Sequence, residues 1–178
     1  MRNSWGFTLI EVLVVAAITG IITTFMVTNF QKARVNLDKN ASAFIAQVSS
    51  AQSKANASVK YNDGSGSGLN IRCGYGIHYE SKTSYSIYVG PSADSLTCSS
   101  ENRNFDAKDF KIITIKLTDS RVEFKNQFND IFFEPPNPTT FINNSSSTAT
   151  VTITLDKIGG ICPEDCKNIN VSTYGTIE

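Results

Sequence analysis

Four cysteines are the residues whose chemistry the sequence predicts most directly. They stand at positions 73, 98, 162 and 166, an even count that favours two disulfides in an exported chain. A bond between Cys73 and Cys98 would close a loop of about 25 residues and stabilise the fold by roughly 3 kcal/mol in the chain-entropy model. Cys162 and Cys166 could close a tight loop near the C-terminus. Crossed pairing stays open, because four cysteines allow three connectivities.

A zinc site is the alternative use of these cysteines. The single histidine, His78, could be a further ligand. The cysteine spacing departs from the usual C-x2-C, however, and disulfides imply an oxidising compartment. We therefore predict disulfides, no metal site and no cofactor.

Catalytic chemistry has few candidates in this chain. His78 lies in the alternating run Tyr75, Ile77, Tyr79 but on the opposite face, which predicts a histidine on the surface of a strand. The sequence contains no G-x-S-x-G and no paired-carboxylate motif, so we predict that the protein is not an enzyme. Calcium ligation by loops is possible but unsupported, because the four candidate acids are scattered: Asp106, Asp109, Asp119 and Asp130.

Charge gives no indication of a nucleic-acid partner. Sixteen basic and sixteen acidic residues leave a formal charge of zero. The basic residues beyond the N-terminal region are dispersed among acids, so no patch that would release counterions from a phosphate backbone is visible. Among them are Arg72, Lys82, Arg103, Lys108, Lys111, Arg121 and Lys125. We predict no binding of nucleic acid.

An apolar segment near the N-terminus is long enough to span a membrane. Residues 12–31 carry no formal charge, and as a helix they would measure about 30 Å, the hydrocarbon thickness of a bilayer. Arg2 precedes the segment and Lys32 and Arg34 follow it, so the positive-inside rule alone does not set its orientation.

A cleaved secretory signal is the competing interpretation of this segment. No A-x-A-like site closes the apolar run, Glu11 stands at its front edge, and the helical pattern continues past its end. We therefore expect the segment to be retained. A carboxylate beside an apolar span is costly, on the order of 2 to 3 kcal/mol at a helix centre and less near the interface. A cation close to Glu11 would offset this cost.

The motif Gly6-Phe7-Thr8-Leu9-Ile10-Glu11-Val12-Leu13 resembles the type III signal of prepilins and pseudopilins. The resemblance implies a leader of residues 1–6, cleavage by a prepilin peptidase after Gly6 and methylation of the new N-terminus at Phe7. The new ammonium group could pair with Glu11. Both groups lie in one helix four residues apart, although the resemblance implies pairing between neighbouring subunits. It also implies three partners: other pilin or pseudopilin subunits, the peptidase, and an inner-membrane assembly platform.

The helix should continue into an amphipathic half. An apolar stripe recurs at spacings of four and three, and no proline interrupts residues 7–60, so we predict one helix of about 50 residues. Residues 7–31 would form its membrane or filament-core half and residues 32–60 would pack on a globular head, with a free coiled coil as the alternative. The stripe is Leu37, Ala41, Phe44, Val48, Ala51 and Ala55, with Ile45 and Val59 beside it. The wet face is Lys39, Asn40, Gln47, Ser50 and Lys54.

Residues 61–178 should form a β-rich head. The Gly-Ser segment at residues 62–68 should end the helix; it lacks the context of a phosphate-binding loop. Alternating runs such as residues 113–117 and 151–155 predict about seven to nine strands, with residues 135–138 and 143–147 as turns or loops. We expect an α+β fold in which the helix lies against one edge of an antiparallel sheet or of two packed sheets.

The end of the chain carries a second resemblance. Ile131-Phe132-Phe133-Glu134-Pro135, then Gly159-Gly160 and Ile169-Asn170-Val171-Ser172-Thr173-Tyr174-Gly175, are similar to the closing strands of GspH/FimT-like minor pseudopilins. The glycine expected soon after the phenylalanine-proline element is absent.

The combined patterns predict a filament subunit. The protein would be held in the inner membrane by a single span with its head in the periplasm, and would then enter a type IV pilus or a type II secretion pseudopilus. A membrane-anchored periplasmic module that never assembles, a secreted enzyme or adhesin with a cleaved signal, and a DNA-uptake pilin stay open as alternatives.

Overall fold

One long helix dominates the computed structural model, which describes residues 8–62, 72–91, 98–135 and 139–178. Helix α1 runs Leu9–Asn56, 48 residues without a break. The Thr8 side chain accepts a hydrogen bond from the Glu11 backbone N–H and caps the N-terminus. The prediction of a single helix is confirmed, and with it the α+β, pilin-like class.

The helix ends earlier than the sequence predicts. Its last residue is Asn56, before the Gly-Ser segment, of which residues 63–68 lie outside the described part of the chain. Ser58 adopts a left-handed φ of 45°, and the Val59 N–H bonds to the Lys54 carbonyl, as in a helix terminus closed by a left-handed residue. Val59 is therefore outside the helix and exposed, not part of the stripe.

Nine strands form two antiparallel sheets within the described residues. The six-stranded sheet has the order β3-β2-β1-β5-β6-β7, and the three-stranded sheet has the order β4-β8-β9. The strands are β1 Tyr75–Ser81, β2 Ser84–Val89, β3 Phe110–Lys116, β4 Glu123–Phe124, β5 Ile131–Glu134, β6 Thr139–Ile142, β7 Ser145–Ser146, β8 Ala149–Thr154 and β9 Cys166–Val171.

Residues 143–147, predicted as a loop, contain a hairpin. Asn143 and Asn144 form a two-residue turn with φ of 48° and 61°, and the chain returns as β7 beside β6. Two consecutive left-handed residues match the twist of a tight hairpin, and asparagine tolerates this conformation. The loop prediction was therefore wrong for Ser145 and Ser146.

The helix packs on the faces of both sheets, and the expected placement against one edge was wrong. Apolar side chains of β1, β2 and β5 and those of β8 and β9 meet the same helix in one core. Phe44 is the centre of this core, with its ring at 5.0 Å from that of Tyr85 and 5.7 Å from those of Phe124 and Phe128. A sheet edge offers mainly backbone groups, whereas its faces offer apolar area to bury. All six stripe residues are buried.

Asn40 corrects the predicted wet face of the helix. The residue is 3% exposed, although the sequence pattern placed it toward solvent. The Asn40 Oδ1 accepts from the Thr118 N–H at 2.9 Å, and its Nδ2 donates to the Asn36 carbonyl at 2.7 Å. The amide thus holds the connection between β3 and β4 against the helix, a role that hydrophobic periodicity does not reveal.

A second layer covers the other face of the six-stranded sheet. Strand β2 is buried along its whole length, because residues 98–109 lie over the side that the helix leaves open. Tyr88 on this side packs against Phe105 at 5.3 Å and Phe132 at 5.9 Å between ring centres. The Tyr88 hydroxyl donates to the Arg103 carbonyl. Around the six-stranded sheet the head therefore has three layers: helix, sheet and covering segment.

Candidate functional site

The first half of α1 is uncovered apolar surface. Its large side chains from Leu9 to Phe30 are between 46% and 86% exposed, and the first buried residue of the helix is Ala33. By length and composition α1 is able to cross a membrane. So large an apolar surface on a water-soluble monomer would be exceptional, and it indicates a membrane or protein environment.

Hydroxyl groups within this apolar half are satisfied inside the helix. Thr23 Oγ1 donates to the Thr19 carbonyl at 2.7 Å, and Thr24 Oγ1 donates to the Gly20 carbonyl at 2.9 Å. Thr19 and Thr28 donate in the same way. Because no hydroxyl of these four threonines needs water, they do not oppose transfer of the segment into an apolar medium.

Glu11 lies in the first turn of α1 and is exposed. A carboxylate at this end of a helix is favoured by the helix dipole and by the unpaired N–H groups. Gly6 and Phe7, the predicted cleavage and methylation residues, lie outside the described residues.

The four cysteines form two disulfides in the structure, Cys73–Cys98 and Cys162–Cys166. The first joins the start of β1 to the start of the covering segment, and the second closes the loop before β9. Among the described residues, the grouping with metal-ligand potential is Asp156, Cys162 and Cys166. Both sulfurs are consumed in a bond, and His78 is not a member of this group.

His78 is less exposed than the sequence predicts. Its side chain is 27% exposed, its Nδ1 lies 2.6 Å from Asp130 Oδ1, and its ring packs on Phe105 at 4.7 Å. The prediction of a surface histidine missed the covering segment, because residues 98–109 show no regular periodicity that would place them over the sheet.

A histidine beside an aspartate raises the question of a catalytic triad. Ser86 pairs directly with His78 across the two strands, but Ser86 is fully buried and no hydrogen bond joins the two side chains in the described structure. A nucleophile needs both access to substrate and a base within hydrogen-bonding distance. The arrangement therefore stabilises the covering segment and does not form a nucleophilic site.

Three of the four candidate calcium ligands come together, contrary to the expectation that they are scattered. Asp130 Oδ2 accepts from the Phe105 N–H at 2.7 Å, Asp109 Oδ2 from the Asp106 N–H at 2.8 Å, and Asp106 Oδ1 from the Lys108 N–H at 2.8 Å. These acids hold the backbone of the covering segment. Burial, followed by the nearby carboxylates, raises the pKa of Asp109 to about 7.

Asp119 has a separate role at the helix. Arg121 binds it through two nitrogens, at 2.7 and 3.0 Å, and Asn36 donates to it from α1 at 2.7 Å. These hydrogen bonds hold the pKa of Asp119 well below its usual range. Arg121 Nη1 also donates to the Asn29 carbonyl, so the head reaches the helix at residue 29.

Four basic residues of the head form ion pairs with glutamates. Lys82 meets Glu123, Arg103 meets Glu134, Lys108 meets Glu101, and Lys111 meets Glu80. The positive charge of each of these four residues is therefore largely neutralised by a neighbouring glutamate. In the described part of the chain, the four do not form a positively charged cluster that would attract a phosphate backbone.

Comparison with known proteins gives one match. Residues 1–27 match the family model described as the prokaryotic N-terminal methylation motif. No curated protein and no solved structure shows significant similarity to the chain. The match covers the N-terminal segment, including Glu11 and the start of α1, and does not extend to the head.

Proposed function

We propose that this chain, which carries the N-terminal methylation motif of type IV prepilin-like proteins, is a minor subunit of a type II secretion pseudopilus or a type IV pilus. The motif supports a type IV pilin or pseudopilin, and it implies a prepilin peptidase and other pilins as partners. A single apolar helix fits a protein anchored in a membrane by one span. Such a subunit is structural, and the motif does not point to an enzyme.

The observation that carries the proposal is the position of the motif at the N-terminal end of the uncovered helix. Removal of residues 1–6 would create an α-ammonium group at Phe7, four residues before Glu11. In an apolar filament core each of these charges would stabilise the other, and neither would be tolerated alone. The apolar half would exchange lipid for the helices of neighbouring subunits, and the head would face outward.

The proposal covers both filament types and includes membership of the GspH/FimT-like group. The features that support the group are the Ile131–Glu134 strand, followed by Pro135, and the closing strand Cys166–Val171. An inner-membrane assembly platform is the third expected partner. The head would stand in the periplasm, where the two disulfides are stable.

The N-terminus of the mature protein tests the processing step. Intact mass and N-terminal sequencing of protein from its native host should give a chain that begins at methylated Phe7. A chain that begins at Met1 would contradict processing and favour an anchored module that does not assemble. A chain that begins beyond residue 20 would favour a secreted protein with a cleaved signal.

Glu11 tests the assembly step. We expect Glu11→Gln to be processed and retained in the membrane but largely lost from sheared filaments, because the Phe7 ammonium group would then lack a buried partner. Glu11→Asp keeps the carboxylate and is the matched control, so incorporation should be substantially restored. Equal incorporation of the wild type and of both variants would show that the charge pair is not used.

A further inference from the structure

An exposed isoleucine lies where the apolar half of the helix meets the head. Ile161 is 76% exposed and directly precedes the loop closed by Cys162 and Cys166. Single exposed apolar side chains are common on protein surfaces and need no explanation by themselves. The position of Ile161 along the helix makes it informative.

One carboxylate fixes that position. Asp165 Oδ1 accepts from Arg34 Nε at 2.8 Å, and Asp165 Oδ2 accepts from the Ile161 N–H at 3.1 Å. The Asp165 carboxylate thus bridges the Ile161 backbone and the Arg34 side chain. Arg34 is three residues, about 4.5 Å, beyond the end of the uncharged run, and helical side chains lean toward the N-terminus. Ile161 therefore lies at the level where the apolar segment ends.

The loop presents Ile161 on a constrained backbone. The Asp165 N–H bonds back to the Ile161 carbonyl at 3.0 Å, and the disulfide between Cys162 and Cys166 closes the loop that begins one residue later. Gly160 sits so close to Leu155 and Asp165 that a Cβ there would lie within 2.9 Å of both side chains. Because the backbone is held in this way, little conformational entropy opposes burial of the isoleucine in a partner.

Side chains of both charges lie near this apolar tip. Lys125 Nζ lies 3.4 Å from Cys162 Sγ, and the Asp156 carboxylate lies within 4.8 Å of the same sulfur. Arg34 lies 3.6 Å from Glu164 and bonds to Asp165. An exposed apolar side chain among charged groups, at the level where an apolar helix segment ends, fits the interface between lipid and water.

We propose that Ile161 contacts the lipid bilayer: in the membrane-anchored precursor it inserts into the interfacial layer of the phospholipid membrane and fixes the orientation of the head on it. The inference rests on the proposed membrane anchor. The apolar surface of α1 and Ile161 then both contact lipid, and the Arg34–Asp165 pair lies at the headgroup level.

Tryptophan fluorescence in full-length protein reconstituted in anionic vesicles tests the contact. Trp5 is the single tryptophan of the chain, so Trp5→Phe provides a silent background for Ile161→Trp. Tyr174→Trp in the same background is the matched control: Tyr174 is 85% exposed, and its neighbour Gly175 lies against Gln52. Residue 52 is about 27 Å farther along the helix than residue 34.

We expect the emission of tryptophan at position 161 to be blue-shifted and quenched by lipids brominated near the headgroup. Its quenching by aqueous acrylamide should be about fivefold weaker than at position 174, because an interfacial indole is shielded from water. Disulfide content and circular dichroism matching those of the parent would show that the head is folded.

Three results would overturn the inference. Equal acrylamide quenching at both positions, in protein that floats with the vesicles, would exclude lipid contact while leaving the anchor intact. Shielding that disappears at low protein-to-lipid ratio, without quenching by brominated lipid, would assign Ile161 to a contact with a second copy of the chain. Protein that does not float with the vesicles would contradict both the inference and the proposed anchor.

Discussion

At the scale of single residues, Asp109 of the covering segment has a carboxyl group whose ionisation is unfavourable in the folded protein. The carboxyl is half-buried, and Asp106 and Asp130 stand near it, so its pKa is raised from 3.8 to about 7. The hydrogen bond from the Asp106 N–H acts in the opposite direction but is outweighed. The ionised form is thus disfavoured in the folded protein and not in the unfolded chain.

This difference predicts how stability changes with pH. Between about pH 4 and pH 7 the folded state holds a proton on Asp109 that the unfolded state has released, so the contribution of this group to stability falls as pH rises. We expect Asp109→Asn, which keeps an oxygen acceptor, to raise the denaturation midpoint more at pH 8 than at pH 4. Urea unfolding at both pH values measures this. The control is Glu164→Gln, an acid-to-amide change at a carboxylate that is 81% exposed; an equal effect of Asp109→Asn at both pH values would contradict the prediction.

At the scale of elements, the contacts between α1 and the head decide how firmly the two are joined. Apolar packing by the stripe is continuous from Leu37 to Ala55. Closer to the apolar half, polar contacts join the helix to the head: Arg121 donates to the Asn29 carbonyl, and Arg34 donates to Asp165. Asn40 is a buried amide near the N-terminal end of the stripe, between Leu37 and Ala41.

Asn40 provides the test of this junction. Replacement by alanine leaves the Thr118 N–H and hydroxyl without their acceptor, so we expect Asn40→Ala to lower the free energy of unfolding by about 1–3 kcal/mol. Lys39→Ala, at the exposed neighbouring position, should change it by no more than about 0.5 kcal/mol. Denaturant titration in detergent measures both. Equal effects of the two variants would show that the amide is not needed.

The helix and the strands were predictable, and the connections between them were not. Periodicity identified the stripe around Phe44 and the alternating strands, because those patterns express burial directly. Residues 98–109 cover Tyr88 through Phe105 on an irregular backbone held by aspartates, and such a layer has no periodic sequence pattern. The positions of His78, Asp130 and Asn40 all depend on such connections. For the candidate site, the Glu11 motif was visible in the sequence, whereas the approach of Ile161 to Arg34 spans more than a hundred residues and was not.

At the scale of the whole molecule, the Cys73–Cys98 disulfide ties the covering segment to the sheet. The bond encloses the described strands β1 and β2, and it holds the start of the segment beside the strand that the segment covers. Stability of the head should therefore depend on this bond more than on the short loop at Cys162.

Paired serine variants compare the two bonds. In the chain-entropy model, Cys73→Ser with Cys98→Ser should cost about 3 kcal/mol, and Cys162→Ser with Cys166→Ser about 1.5 kcal/mol less than that. Unfolding by denaturant under non-reducing conditions measures both. A larger loss for the second pair would show that its loop, which carries Asp165 against Arg34, contributes more through contacts than through chain entropy.

The uninterrupted helix also has a mechanical consequence. From residue 29 onward the head contacts and supports the helix. Between Thr19 and Thr28, four side-chain hydroxyls bond to the carbonyls of the preceding turn. Gly20 in the same region has open space where a side chain would stand. Such bonding lets a helix bend, and glycine weakens it further. Under tension the protein would therefore behave as a rigid block on a compliant stem, so that strain is absorbed in the stem before the head deforms.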